Sequence, residues 1–194
     1  SFKNINAKLH EAGIASIFHT YCFFIDKQSK YVTPIPHPQL GAFGSFTLAK
    51  PLSSDTTEIE VVESTADVSN ITGFFVRNSV TLHIEDELIT FSDVTKEPPY
   101  MFTGCERGAY GTRASSHPKG ARARHLKECF GLFVPDCESG LFTEIAAKHA
   151  ELIDYCDFDG FYLDAIDGSD ILRGREYTWY YGPKFVYEIY KHLN

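Results

Sequence analysis

The chain has 194 residues, with 18 Lys and Arg against 26 Asp and Glu, and a formal net charge of −8 at pH 7. Hydrophobic residues make up 43% of it and charged residues 23%, which excludes a disordered or collagen-like chain. No apolar run reaches the roughly 18–20 residues that span a bilayer, and the acidic balance disfavours nucleic acid, so we expect neither a membrane nor a nucleic-acid partner.

The first segment predicts a helix followed by a buried strand. Ile5, Leu9 and Ala12 are at helical spacing, and Gly13 suits a C-terminal helix cap. Residues 14–25 are almost continuously apolar and rich in aromatic and β-branched side chains, which is typical of a strand buried on both faces of a parallel sheet.

The character of the chain changes between about residues 45 and 125. Residues 57–62 alternate between polar and apolar side chains, and further short β-prone runs are separated by turn residues at 74–76, 81–84, 87–91 and 100–103. This pattern predicts an all-β insertion over residues 45–126. The proline-rich residues 33–38 and the basic residues 120–124 are expected to be its linkers.

The β/α pattern then returns. Residues 141–156 carry one apolar helical face, residues 161–164 form a short strand that ends at Asp164, and a last amphipathic helix is expected over about residues 182–193. We therefore predict an α/β fold: an incomplete (β/α) barrel fragment, formed by residues 1–44 and 127–194, that is interrupted by a small all-β domain.

Metal, cofactor and disulfide signals are weak. The five cysteines form no C-x-x-C pair, and Cys129 and Cys137 are either buried thiols or a bridge in an oxidising compartment. No metalloprotease, EF-hand, phosphate-loop or dinucleotide-binding motif is present, so we expect neither a metal nor a cofactor.

Two carboxylates are the candidate catalytic residues. Asp164 ends a predicted parallel strand, and ligands bind at the C-terminal ends of such strands. Asp167 follows three residues later. Glycoside cleavage requires two carboxyl groups, one to donate a proton and one to attack carbon or activate water. The alternatives are that Asp164 caps the following turn and that Asp167 belongs to that turn.

Five further residues are candidates for substrate binding. His19 and Tyr21 lie on one face of the first predicted strand, although a core histidine is an equal alternative. Asp26 follows that strand and is a weaker candidate. Trp179 and Tyr181 belong to an aromatic cluster that suits the flat faces of a sugar, or else packs in the core.

Residues 6–26, 132–136 and 158–168 together resemble the central part of a TIM-barrel glycoside hydrolase. The likeness is nearest to the α-galactosidase-like enzymes and to bacterial polysaccharide-degrading relatives. In those enzymes a strand-end Asp is the nucleophile, and the resemblance assigns this role to Asp164. The chain differs from the α-galactosidases in having Tyr162-Leu163-Asp164 where they have Lys-x-Asp.

A second resemblance lies in the insertion. Residues 86–92 and 102–113, with His117 and Gly120, are similar to a small β module of phage tail and other bacterial surface proteins. Its glycines permit positive φ in tight turns, and Arg107 and His117 are able to tie loop carbonyls together. We expect these residues to be structural.

The sequence thus favours a glycoside hydrolase that acts on a poly- or oligosaccharide. One alternative is a non-catalytic carbohydrate-binding or phage-tail-like structural module, and another is a polysaccharide lyase with Tyr21 and His19 as acid and base. A complete barrel takes roughly 200 residues or more, so we expect the rest of the enzyme to lie outside this chain. A secreted or periplasmic location is expected if a signal peptide precedes it.

Overall fold

The structure is a computed structural model that describes all 194 residues, and it divides into two compact units. The β/α unit comprises Ser1–Phe24 and Pro135–Asn194, and the β unit comprises Ile25–Val134. The inserted unit is therefore longer at both ends than the predicted 45–126. No helix is both long enough and apolar enough to cross a membrane.

The chain has a mixed α/β fold with four helices and several small sheets. In chain order the elements are α1 (Phe2–Glu11), β1 (Ile17–Tyr21), β2 (Ala42–Thr47), β3 (Ile59–Glu60), β4 (Thr81–Ile84), β5 (Glu87–Thr90), β6 (Asp93–Val94), β7 (Met101–Thr103), β8 (Arg122–Leu126), β9 (Glu128–Cys129), β10 (Leu132–Phe133), α2 (Gly140–Cys156), β11 (Gly160–Asp164), α3 (Asp170–Arg173) and α4 (Thr178–His192).

The β/α unit joins one pair of parallel strands, β1 and β11, to a layer of helices. α2 packs against α4, where the rings of Phe142 and Phe185 lie 5.3 Å apart. α1 is attached to α2 through Asn6, whose buried Nδ2 donates to the carbonyl of Cys156 at 2.9 Å. The predicted apolar face of α1 is only partly used, because Ile5 is exposed.

A carboxylate at the start of β11 holds the beginnings of the two strands together. Asp159 Oδ2 accepts the N–H of Ser16 at 2.6 Å, and the N–H of Asp159 donates to the Ser16 carbonyl at 3.0 Å. His10 Nε2 lies 2.9 Å from the same carboxylate oxygen. The Ser16 N–H, with help from His10, holds the pKa of Asp159 below its usual value.

β1 is shorter and more exposed than the sequence predicts. It ends at Tyr21, and the expectation that it is buried on both faces is wrong, because Ile17, His19 and Tyr21 face solvent. Phe18, on the opposite face, packs against Phe158 with ring centroids 5.3 Å apart. The sheet has two strands and does not close into a barrel.

The β unit consists of small antiparallel sheets. One sheet has the strand order β2-β8-β4-β5, a second has the order β3-β7-β6, and β9 pairs with β10. Phe46, Phe91 and Phe102 meet in the core, with Phe102 centroids 5.0 and 4.8 Å from those of Phe46 and Phe91. The prediction of a strand at residues 74–76 is wrong, because no strand lies between β3 and β4.

Neither predicted linker is a linker. The basic stretch continues into β8, and Arg124 Nη1 and Nη2 donate to the carbonyls of Pro38 and Leu40 at 2.6 and 2.5 Å. The Gly41 N–H donates to the Val134 carbonyl at 2.7 Å, and the Gly41 carbonyl accepts the Lys127 N–H at 2.8 Å. The proline-rich segment is therefore packed into the β unit.

A buried carboxylate, Glu87, organises the turns of the β unit. Its oxygens accept Nε and Nη2 of Arg107 at 2.8 and 2.7 Å, His117 Nε2 at 2.8 Å, and the N–H groups of Gly108 and Ser115 at 2.9 and 3.1 Å. Burial by itself raises the pKa of Glu87, but these hydrogen bonds outweigh it and hold the pKa below its usual value of 4.5.

Arg107 and His117 have the structural roles that the turn motif predicts, with one difference. Arg107 also donates to the carbonyls of Ser53 and Ser115, the latter at 2.6 Å. His117 binds carboxylates instead of loop carbonyls, since its Nδ1 lies 2.8 Å from Glu85 Oε2. Both ring nitrogens of His117 therefore face carboxylate oxygens.

All five cysteines are buried, and none of them is in a disulfide. The bridge between Cys129 and Cys137 that the sequence leaves open is not formed.

We expect Glu87→Gln to lower the free energy of unfolding by about 3–5 kcal/mol, because the buried guanidinium of Arg107 loses its counter-charge. Glu85→Gln is the control, because Glu85 is exposed and its loss should cost less than about 1 kcal/mol. Urea unfolding followed by circular dichroism measures both, and equal midpoints would contradict the assignment.

The same network predicts a direction for the pH dependence of stability. Because the pKa of folded Glu87 lies below 4.5, its stabilisation is present above that pH and is lost as the pH falls through the folded value. Glu87→Gln lacks this contribution, so its unfolding midpoint should change less than that of the wild type on acidification from neutral pH.

Candidate active site

The C-terminal halves of β1 and β11 present one polar and aromatic surface. His19 pairs with Tyr162 and Tyr21 pairs with Asp164 in the parallel register. Because alternate residues of a strand point to the same side, these four side chains lie on one face of the sheet. This surface, termed the site face, is exposed to solvent.

Asp164 is the strand-end carboxylate of the site face. Its Oδ1 accepts the N–H of Ala165 at 2.8 Å, and its Oδ2 lies 3.5 Å from His19 Nε2. Ala165 has a φ of 61°, in the left-handed region, so the chain turns sharply away directly after the carboxylate. With 45% of the side chain exposed, one oxygen of Asp164 is fixed by the backbone and the other is open to a ligand.

His19 is a surface residue, so the alternative of a core histidine is wrong. Its side chain is 64% exposed, and its ring meets that of Tyr162 edge to face with centroids 5.1 Å apart. Tyr21 and Tyr162 are also exposed. The site face therefore combines an imidazole, a carboxylate and two flat rings that carry hydroxyl groups.

Asp167 lies in a short 3₁₀ turn, Ile166–Ser169, that follows β11. Its carboxylate is exposed and makes no hydrogen bond within the chain, so its backbone forms the turn while its side chain remains available. Beneath the two carboxylates, burial raises the pKa of the Cys22 thiol to about 12, and the negative charges of Asp167 and Asp164 add to the effect. Cys22 is thus a neutral thiol and not a nucleophile.

Asp26 is not brought to the site face. It belongs to the β unit and lies beyond the end of β1, in a turn. Its Oδ1 accepts the N–H of Gln28 at 2.7 Å, and its carbonyl accepts that of Ser29 at 3.0 Å. These bonds are those of a residue that caps its own turn.

The predicted aromatic cluster is divided between surface and core. Trp179 is 73% exposed, whereas Tyr181 is only 2% exposed. The Tyr181 hydroxyl accepts Arg173 Nη1 at 2.9 Å and donates to Glu138 Oε1, and Lys184 Nζ lies 3.1 Å from Glu138 Oε2. Tyr181 is therefore not accessible for stacking on a sugar, so of the two predicted residues Trp179 alone is available for it.

Glu138, which sequence reasoning did not identify, is the centre of that cluster. The hydrogen bonds from Tyr181 and Lys184 hold the pKa of Glu138 below its usual value. Burial, together with the bond to Glu138, raises the pKa of Tyr181 to about 12. The cluster joins the start of α2 to α4, and its only sequence signal is an acidic residue two positions before the helix.

The site face is suited to binding polyhydroxylated ligands and to transferring a proton. A carboxylate accepts hydroxyl donors, an adjacent imidazole holds or accepts a proton, and tyrosine rings pack against C–H surfaces. No group of three or more His, Cys, Asp or Glu side chains is arranged to hold a metal. No family model, curated protein or solved structure matches the chain.

We expect Tyr181→Phe to lower the free energy of unfolding by about 1–3 kcal/mol, because Glu138 and Arg173 lose a partly buried partner. Tyr180→Phe is the matched control, since Tyr180 is the neighbouring, exposed tyrosine and its hydroxyl makes no hydrogen bond. Thermal unfolding followed by circular dichroism compares the two variants. An equal effect of both would contradict the structural role of Tyr181.

Proposed function

We propose that this chain is part of a glycoside hydrolase that acts on a poly- or oligosaccharide, with Asp164 as a catalytic carboxylate. The observation that carries the proposal is the position of Asp164 at the end of β11, with Oδ2 3.5 Å from His19 Nε2 on an exposed aromatic face. A carboxylate at the C-terminal end of a parallel strand is where α/β enzymes place their reacting groups.

The side chains divide into reacting and binding groups. Asp164 is the nucleophile or the general acid, and His19 acts through it by orienting Oδ2. Asp167 is the candidate for the second carboxyl group. Tyr21 and Tyr162 contact the sugar ring through their exposed faces. Trp179 is a candidate for a more distant sugar subsite.

The finer fold is part of the same proposal. Parallel strands are normally covered on both faces and paired on both edges, yet β1 and β11 each have a free edge and together expose the site face. In the proposed enzyme, the pair corresponds to two strands of a (β/α) barrel. Further β/α segments of the same enzyme would pair with these edges and exclude water from Asp164.

Asp164→Asn in the natural full-length polypeptide should lower kcat for glycoside cleavage by at least about 100-fold, because the amide neither transfers a proton nor attacks carbon. Release of reducing ends from a panel of polysaccharides measures cleavage. Asp86→Asn is the matched control, because Asp86 is an exposed turn carboxylate of the β unit without a hydrogen-bond partner. It should leave both kcat and the unfolding temperature unchanged.

Three outcomes test the role of Asp164 and separate a hydrolase from a lyase. Reducing ends that disappear in Asp164→Asn, released without any product that absorbs in the ultraviolet, support the hydrolase. Full turnover in Asp164→Asn contradicts the role of this residue. Products that absorb in the ultraviolet, and that depend on Tyr21 and His19, identify a polysaccharide lyase instead.

A further inference from the structure

The β unit contains a cavity of about 380 Å³ that the proposed active site does not use. It lies against β2 and the segment between β3 and β4, and the side chains that define its chemistry are those of Phe43, Asp67, Ser69, Arg77 and His125. Its volume is within the range of about 300–1,000 Å³ that is typical of sites for small molecules.

One wall of the cavity is an ordered loop. Residues 61–80 form no strand, and loops longer than about 12–15 residues are uncommon unless they are functional or disordered. This one is fixed by its own side chains: Asn78 Nδ2 donates to the carbonyls of Ser69 and Ile71 at 2.8 and 3.0 Å, and Thr65 Oγ1 donates to Thr95 at 2.6 Å. The wall is therefore formed before any ligand binds.

An exposed aromatic ring forms the apolar side of the cavity. Phe43 is 46% exposed although it lies in a strand, and its ring is held against that of His125 with centroids 5.3 Å apart. His125 Nε2 donates to the Ser79 carbonyl at 2.7 Å, and burial lowers the pKa of His125, so the ring is neutral at pH 7. The ring of Phe43 thus offers a fixed flat surface, and Lys127 Nζ lies 5.8 Å from its centroid.

The polar side of the cavity contains a carboxylate without a partner. Asp67 is exposed and makes neither a hydrogen bond nor an ion pair within the chain. Arg77, whose Nη1 donates to the Phe75 carbonyl at 2.7 Å, is the other charged residue of the lining. The charges of these two lining residues balance, so the lining itself does not select a phosphate or a strongly cationic ligand.

We propose that this cavity binds one neutral sugar residue of a polysaccharide, with the C–H face of the sugar on Phe43 and two of its hydroxyls on Asp67. An ionised carboxylate only accepts hydrogen bonds, and adjacent sugar hydroxyls supply two donors in the matching geometry. An apolar ligand would bury Asp67 without a partner, and an anionic one would face its charge. The proposal is independent of cleavage at Asp164.

The test is a titration of the full chain with trisaccharides of glucose, mannose, xylose and galactose. Saturation-transfer NMR reports which sugar protons contact the protein, and the ring signals of His125 report occupation of the cavity. We expect one of these sugars to bind with millimolar or better affinity and to shift His125. Phe43→Ala and Asp67→Asn should each weaken binding by about tenfold or more.

Matched controls are present in the same unit. Phe75 is 74% exposed and does not line the cavity, so Phe75→Ala tests for adventitious binding to an aromatic surface. Asp86→Asn repeats the charge change of Asp67→Asn on an exposed turn. Both controls should bind as the wild type does, and unchanged unfolding temperatures show that the cavity variants are folded.

Three results would overturn the proposal. The first is that none of the four trisaccharides binds at millimolar concentration. The second is that binding is lost in Phe75→Ala but kept in Phe43→Ala and Asp67→Asn. The third is that a charged sugar, such as a uronic-acid trisaccharide, binds more tightly than every neutral one. Because the readout is binding, activity at Asp164 does not affect the result. Failure of the binding proposal is therefore distinguishable from failure of the proposed function.

Discussion

The parallel pairing of β1 with β11 is the constraint on which the β/α unit depends, because the whole β unit intervenes between the two strands in sequence. Such a pairing requires the inserted chain to return close to where it left. Ile25 and Phe133 meet this requirement within the β unit, since each donates its N–H to the carbonyl of the other, at 2.8 and 3.0 Å. A long insertion is then compatible with strands that remain in register.

The register in turn determines the candidate site. Asp159 fixes the starts of both strands through Ser16, and from there the pairing places His19 beside Tyr162 and Asp164. A slip of one residue would turn every side chain of one strand to the opposite face and would separate the imidazole from the carboxylate. The contact between His19 and Asp164 therefore depends on hydrogen bonds at the far end of the strands.

Sequence patterns predicted the features that are encoded locally. The period of α2 and the strand that ends at Asp164 are visible in short windows, and both are present in the structure. The limits of the β unit are not visible in such windows. Its proline-rich residues have the composition of a linker, and their packing depends on the distant Arg124, which donates to the carbonyls of Pro38 and Leu40. The same holds for Tyr181 and Glu87, whose burial depends on partners that are far away in the sequence.

Glu87 and Asp164 show why a perturbed carboxylate is not by itself a sign of catalysis in this chain. Glu87 is buried and fully paired, and the shift in its pKa belongs to a network that ties turns together. Asp164 is half exposed, with one oxygen open to a ligand. Glycosidases separate the pKa values of their two carboxyl groups by excluding water from one of them. In the proposed hydrolase, a substrate bound on the site face would cover the open oxygen of Asp164 and exclude water from it.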